Sequence, residues 1–209
     1  MILGFSHLTH ATAAADRACA YWLERGWRAE WSAPDVVSAP EKWPLMRRRA
    51  MRHDLHMLAG PVRIEVIAHD SGSTQEPGRL SVSAQGGVVE IATRDPAREA
   101  RFFREAMRFV EGEDDVLSFS GRMPSWSVSV RPVLNPRAPV DPPLDLEGVA
   151  SLAFLSTAPA AEAEAMAALG ARDVGTPFRI AVNGRALTVV MLRSPEGVPI
   201  ELVKIEVKP

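Results

Sequence analysis

Two glutamates stand in the middle of apolar segments of this 209-residue chain. Glu65 lies within residues 62–68 and Glu201 within residues 199–205, and each segment follows a turn rich in Pro and Gly. Burying an ionised carboxylate without a partner is costly. If the two carboxylates share a cavity, we therefore expect a cation between them or a proton on one of them.

A simpler arrangement is open at this point. Alternate residues of a strand face opposite sides, so each glutamate could point out of its sheet. Glu65 then shares its face with Arg63, which could neutralise it. Glu201 shares its face with Pro199 and Val203, which makes solvent exposure less natural there. The sequence leaves both arrangements as alternatives.

The elements that would position Glu65 form a predicted β-α-β-β-β unit over residues 1–70. Residues 3–9 alternate as a strand does, and a helix over residues 13–25 follows with Thr12 as its N-cap. A hairpin around Gly60-Pro61 then brings in the strand that carries the glutamate.

The same order of elements is predicted twice more. Residues 86–134 form a second, degenerate unit, whose helix begins after Asp95. Residues 135–146 contain four prolines and form a linker. Residues 147–209 form the third unit, in which Asn183-Gly184 favours a type I′ turn. Three such units indicate an internal repeat and an α+β protein.

Each unit has an open sheet whose apolar face must be covered, so the units should pair face to face or edge to edge. With three units, one is left over. It must pair across a homodimer axis or pack as an accessory layer, and we expect the homodimer.

Composition narrows the class of partner. The net charge of −2 and the pI near 6.2 provide no basic field for nucleic acid, which leaves a small molecule as the expected partner. The single cysteine, Cys19, excludes an internal disulfide. The first residues lack the pattern of a secretion signal and no apolar run is long enough for a bilayer, so we expect a cytoplasmic protein with no membrane partner.

Three short segments carry a family resemblance: residues 4–9 (GFSHLT), 21–27 (YWLERGW) and 194–202 (SPEGVPIEL). The last is similar to the ending D-P-x-G-x-x-I-E-L. In these segments the chain resembles the vicinal oxygen chelate superfamily, the group of glyoxalases, bleomycin-resistance proteins and extradiol dioxygenases. The resemblance implies that β-α-β-β-β modules pair into a cupped mixed sheet.

The resemblance also implies a set of metal ligands on the first and last strands of paired modules. His7, Glu65 and Glu201 match three ligand positions, and these donors suit Fe, Mn, Zn or Ni as a divalent ion. Ser151 matches the fourth position and departs from the family, since serine is a poor ligand. His53 and His56 face opposite sides of their strand, so at most one of them can point into the cup. His56 is taken as a reserve ligand.

The leading expectation is a metal-dependent enzyme of the glyoxalase or dioxygenase type. It would act on a small oxygenated metabolite by lyase, isomerase or dioxygenase chemistry, with Glu65 and Glu201 as catalytic residues. The alternative is a metal-free binding protein of the bleomycin-resistance type, and a third candidate is a scaffold with a filled cup.

Other side chains could shape such a cup. The arginines of residues 47–52 form what is most often a solvated face, but near a cup mouth they could hold an anionic substrate, since guanidinium groups pair with carboxylate or phosphate. Trp43 and Trp126 are either ordinary core or the walls of a pocket for an apolar or aromatic ligand.

Overall fold

The computed structural model describes residues 1–74, 79–83 and 87–206. Within them, thirteen strands form one sheet of eight strands and one of five, and three α-helices accompany the sheets. This confirms the α+β class. Residues 75–78, 84–86 and 207–209 lie outside the described residues, and they include the first residue of the predicted second unit and the last three of the third.

The first part of the chain runs in the order strand, helix and three strands. Its elements are β1 (Ile2–Thr12), α1 (Ala15–Leu23), β2 (Arg28–Val37), a 3-10 helix (Pro40–Leu45), β3 (Arg52–Ala59) and β4 (Ile64–His69). Thr12 is not the N-cap of α1: it pairs with Ala68 as the last residue of β1, and its hydroxyl donates to Glu147 Oε1 at 2.7 Å. The helix begins three residues later.

The middle part has more strands than the sequence predicted. Its elements are β5 (Leu80–Val82), β6 (Val88–Thr93), α2 (Pro96–Met107), β7 (Val110–Glu111), β8 (Leu117–Phe119), a 3-10 helix (Pro124–Trp126) and β9 (Val128–Leu134). Asp95 is the N-cap of α2, where its side chain accepts from Arg98 N at 2.9 Å. Trp126 ends the 3-10 helix that precedes β9.

The last part repeats the first. Its elements are β10 (Gly148–Ser156), α3 (Pro159–Ala168), β11 (Phe178–Val182), β12 (Arg185–Arg193) and β13 (Pro199–Ile205). Asn183 and Gly184 have φ of 48° and 70°, the left-handed values that a two-residue type I′ hairpin requires. The turn predicted between these strands is therefore present.

The first and last parts join edge to edge through β1 and β10. These strands pair antiparallel, and the strand order of the eight-stranded sheet is β11-β12-β13-β10-β1-β4-β3-β2. Cα atoms of the two edge strands, β2 and β11, approach within 8 Å of each other. A sheet whose edges nearly meet is strongly curved, so it forms a cup with an inner and an outer face.

The middle part forms its own sheet in the order β5-β6-β9-β8-β7 and shares the core on the outer face of the cup. Phe154 of β10 contacts Phe109 and Phe119, with ring centroids 6.2 and 6.3 Å apart. Of the two arrangements considered for an odd unit, the structure has the accessory layer, and the odd unit is the middle one. The homodimer stays a prediction.

Candidate active site

His7 lies at the seam of the two paired units, inside the cup. Its Nε2 atom is 3.3 Å from Glu65 Oε2 and 3.8 Å from Glu201 Oε2, and its Nδ1 atom is 3.0 Å from Ser6 Oγ. The imidazole and both carboxylates are buried, with at most 13% of each side chain exposed. Nε2 is buried and has no hydrogen-bond partner in the described residues. The structure therefore brings together the three side chains that the sequence singled out.

The register of the strands explains why the two glutamates meet. Glu65 on β4 is the partner of Thr9 on β1, and Glu201 on β13 is the partner of Ala153 on β10. Thr9 and Ala153 hold equivalent positions in the two units. Thr9 lies two residues after His7, and Ala153 lies two residues after Ser151, the residue that matches His7. The carboxylates consequently face each other across the central strands.

A fourth charged side chain reaches this cluster from the 3-10 helix between β2 and β3. Lys42 Nζ is 3.3 Å from Glu201 Oε1, and only 12% of the lysine side chain is exposed. Sequence reasoning missed Lys42, because 159 residues separate it from Glu201 and its proline-rich segment shows no periodic pattern. A lone lysine beside Pro40 and Pro44 carries no recognisable signal.

The charges of the cluster shift the proton affinities of two members. Burial lowers the pKa of His7, but the Glu65 carboxylate, and Glu201 behind it, outweigh burial and raise the pKa above its ordinary value. Burial raises the pKa of Glu65, but the His7 imidazole and the Lys42 ammonium outweigh burial and hold the pKa below its usual range. In the absence of an added ion, the arrangement favours an imidazolium beside an ionised Glu65.

A cavity of about 550 Å³ opens above the cluster. Its floor includes His7, Glu65, Glu201 and Lys42, and its walls are largely apolar side chains of β3, β4, β12 and β13. Trp31 and Trp126 also line it. This volume suits a small molecule, and it speaks against a scaffold with a filled cup.

The expectation that His56 is a reserve ligand was wrong. Ser151 is buried opposite Thr9 and is not among the described residues that line the cavity. His56 pairs with Val66, whose side chain belongs to the core on the outer face, so His56 points away from the cup. The histidine of β3 that lines the cavity is His53.

His53 forms a pair with His69 on the neighbouring strand. Their ring centroids are 5.8 Å apart, and both Nδ1 atoms are buried without a hydrogen-bond partner in the described part of the chain. Burial, together with the charge of Lys42, lowers the pKa of His53 to about 3 and that of His69 to about 4. Both imidazoles are therefore neutral at neutral pH.

The arginines at the cavity come from outside the run of residues 47–52. The cavity is lined by Arg63 and Arg185, and none of the arginines of residues 47–52 is among its described lining. Arg63 does not neutralise Glu65, because its Nη2 atom pairs with Glu30 Oε1 at 3.0 Å. Trp43 Nε1 donates to Ala50 O at 2.9 Å, and Trp43 is not among the described residues that line the cavity. Trp126 is, so one of the two tryptophans suggested as walls lies at the cavity.

The donor set can be compared with what a divalent ion needs. Two atoms that each bind one ion at about 2.1 Å lie at most about 4.2 Å apart. The distances from His7 Nε2 to Glu65 and Glu201, 3.3 and 3.8 Å, fall within this limit. As the side chains stand, no group of three or more His, Cys, Asp or Glu in the described residues could hold a metal ion. The donors therefore suit an ion by type and by their distances from His7, while Lys42 occupies one oxygen of Glu201.

A family model described as a glyoxalase-like domain matches residues 88–203. The match covers more than half of the chain, so the chain belongs to the glyoxalase-like domain family, and the resemblance to the vicinal oxygen chelate superfamily is confirmed. The matched residues include Glu201, whereas His7 and Glu65 precede them.

Solved structures show related architectures at low identity. Glyoxalase I from Zea mays is 13% identical with a TM-score of 0.37, and the match covers 96% of this chain and 67% of that one. Methylmalonyl-CoA epimerase from Mycobacterium tuberculosis is 13% identical with a TM-score of 0.44, covering 99% and 91%. A glyoxalase/bleomycin resistance protein from Albidiferax ferrireducens T118 is 16% identical with a TM-score of 0.43, covering 56% and 97%. Values this low carry no functional argument, and a search of curated protein sequences found no match.

Proposed function

We propose that the protein is a glyoxalase-type enzyme that acts on a small oxygenated metabolite inside the cup. His7, Glu65 and Glu201 would hold a divalent ion, Fe, Mn, Zn or Ni. The observation that supports this most is the position of His7 Nε2, which is buried, lacks a hydrogen-bond partner among the described residues and faces two carboxylates. A nitrogen with this environment is suited to donate its lone pair to an ion.

The chain's own residues prepare this arrangement. Ser6 Oγ, 3.0 Å from His7 Nδ1, can accept the Nδ1 proton, which leaves Nε2 unprotonated and directed at the carboxylates. A bound divalent ion would supply Lewis-acid chemistry, the polarisation of a substrate carbonyl or the stabilisation of an enolate.

The two glutamates are the residues that would move protons. Glu65 lies 3.3 Å from His7 Nε2 and lines the cavity, so its carboxylate is placed to accept a proton from a substrate. Glu201 is held by Lys42 through one oxygen and faces His7 with the other. The apolar walls of the cup limit water around both carboxylates, which strengthens their interaction with a charged intermediate.

The substrate class follows from the cavity. Its volume of about 550 Å³ holds a metabolite and excludes a macromolecule. Arg185 lines it, and a guanidinium group suits an anionic group on the substrate.

Metal analysis tests the proposal directly. Protein purified without a His-tag should carry about one divalent ion per chain, and His7→Ala and Glu201→Gln should each lose it. Glu105→Gln, the same change on the exposed face of α2, is the matched control and should retain the ion. An ion content near zero in the wild type, or one unaffected by both site variants, would contradict the metal role.

A metal-free binding protein is the second candidate, because Lys42 already supplies a positive charge next to Glu201. In that case Trp31 and Trp126 should report on small aromatic carboxylates by a fluorescence change that persists in chelator. Strict dependence of that change on added metal would eliminate this candidate.

The localisation and the partners of the protein are also proposals. We place it in the cytoplasm with a small molecule as its partner and with self-association as a homodimer, and we assign it no nucleic-acid partner. No helix in the described ranges is long and apolar enough to cross a bilayer.

A further inference from the structure

Lys42 is an unusual member of the cluster, because it is a buried cation beside a carboxylate that the proposed function assigns to a metal ion. Its Nζ atom is 3.3 Å from Glu201 Oε1, while Oε2 of the same carboxylate faces His7 at 3.8 Å. The charge of Lys42 also acts on Glu65, His53 and the imidazole of His7. Lys42 thus contacts Glu201 directly and lies close enough to act on three further side chains.

The backbone holds Lys42 in this place. Lys42 N donates to Ala39 O at 3.0 Å within the 3-10 helix Pro40–Leu45. Leu45 at the end of this helix is buried, and its carbonyl accepts from Leu144 N at 2.8 Å. The ammonium is therefore carried on an anchored segment, unlike a lysine on a free loop.

The position of Lys42 gives it a role. Its ammonium group already contacts one oxygen of Glu201, the carboxylate that the proposed function assigns to the ion. A divalent ion that binds Glu201 would face a like charge a few ångströms away, and like charges at that separation repel strongly in a site shielded from water.

We infer that Lys42 is a tethered cation that competes with the divalent ion for Glu201 and thereby sets the metal affinity of the site. The ion enters when the ammonium leaves Glu201 Oε1. Another favourable contact is within reach, since the ring of Phe178 lies 5.8 Å from Nζ. The inference rests on the proposed function, because it assumes that His7, Glu65 and Glu201 are the ligands.

Titration of chelator-stripped protein with Co²⁺, followed by calorimetry and by the absorption of the bound ion, tests the inference. Lys42→Met should bind Co²⁺ about 10- to 100-fold more tightly than the wild type, because a charge has been removed next to the ion. Lys42→Gln, whose amide still donates to Glu201, is a second variant in case the first does not fold. Lys42→Arg keeps the charge and should bind no more tightly than the wild type.

Lys204→Met is the matched control, because Lys204 lies on the same strand as Glu201 but pairs with Glu206 at 2.9 Å. It should leave Co²⁺ affinity unchanged. Equal affinity in the wild type and the Lys42 variants, or weaker binding in the variants, would overturn the inference and leave the proposed metal role intact. If no form binds Co²⁺, both fail. If only Lys42→Met and Lys42→Gln bind, the inference holds and the metal role of the wild type fails.

Discussion

Gly4 of β1 lies directly against Trp126 of the middle unit, so closely that a Cβ atom on Gly4 would be 2.5 Å from the Trp126 Cβ. Real Cβ atoms do not approach this closely, so a larger residue at position 4 would displace the indole. Since Trp126 also lines the cavity, this contact connects the accessory layer to the wall of the cup.

Gly4→Ala should therefore lower the free energy of unfolding by about 1 to 3 kcal/mol, the usual cost of forcing extra volume into a packed contact. Chemical unfolding measures this loss, and tryptophan emission should shift as Trp126 moves. Gly87→Ala is the control, because among the described residues no atom lies within 4 Å of a Cβ atom at that position. Equal stability of the two variants would show that the contact with Trp126 is not tight.

Glu99 of α2 is a buried acid outside the cup. Glu99 Oε2 accepts from Glu196 N at 3.3 Å, and Oε1 has no hydrogen-bond partner in the described residues. Burial raises the pKa of Glu99 to about 7, although the Ser194 hydroxyl and the Glu196 amide oppose the shift. The unfolded chain should ionise near the ordinary value of 4.5. Wild-type stability should consequently fall as the pH rises from 4.5 through 7.

Glu99→Gln removes the ionisation and should escape this loss. The difference in the free energy of unfolding between Glu99→Gln and the wild type should increase with pH in favour of the variant. Between pH 4.5 and pH 8 this difference should grow by about 3 kcal/mol. Urea unfolding at pH 5, 6.5 and 8 gives the comparison. Glu105→Gln on the exposed side of the same helix should show no such trend. A difference between Glu99→Gln and wild type that is independent of pH would contradict the assignment.

Ser6→Ala removes the oxygen that lies 3.0 Å from His7 Nδ1. Loss of a hydrogen bond to the far nitrogen of a metal-binding histidine costs about 10- to 100-fold in affinity, so Co²⁺ binding should weaken by that factor. Calorimetry on stripped protein measures it. Ser129→Ala, which breaks the hydrogen bond to Ser118 in the other sheet, should leave Co²⁺ binding unchanged.

Asp145 fixes the segment that follows Lys42. The two oxygens of this buried carboxylate accept from Arg47 N at 2.8 Å and Arg48 N at 3.0 Å. Asp145→Ala should cost about 2 to 3 kcal/mol of stability, since hydrogen bonds to charged groups are strong and the amides are left without partners. Asp16→Ala in the exposed first turn of α1 should cost less than about 1 kcal/mol. Thermal and urea unfolding distinguish these outcomes.

The order of elements was predictable because it depends on local chemistry. The N-cap Asp95 satisfies a helix end, and Asn183-Gly184 accepts the left-handed backbone that a tight hairpin needs. Boundaries were less predictable where a distant partner intervened. Thr12 has the residue type of an N-cap, but its hydroxyl is engaged by Glu147, which comes from the other paired unit.

The site was predictable in part for the same reason. A glutamate inside an apolar strand is conspicuous wherever the strand goes, so Glu65 and Glu201 could be found from their immediate neighbours. The cation near them could not, because Lys42 lies in an irregular segment and reaches Glu201 across two units. Arg63 was a reasonable candidate by alternation, yet it pairs with Glu30 on the neighbouring part of the sheet.

By itself, the sequence determined a repeated β-α-β-β-β order, an α+β class and two acids at equivalent positions of apolar strands, because periodicity, caps and polarity act between residues close together in the chain. Only the tertiary structure decided that β1 pairs with β10, that the middle unit is the accessory layer, and that Lys42 and not Arg63 lies among the acids. Those outcomes depend on how distant segments share one core and one set of charges, and no local pattern of residues encodes that sharing.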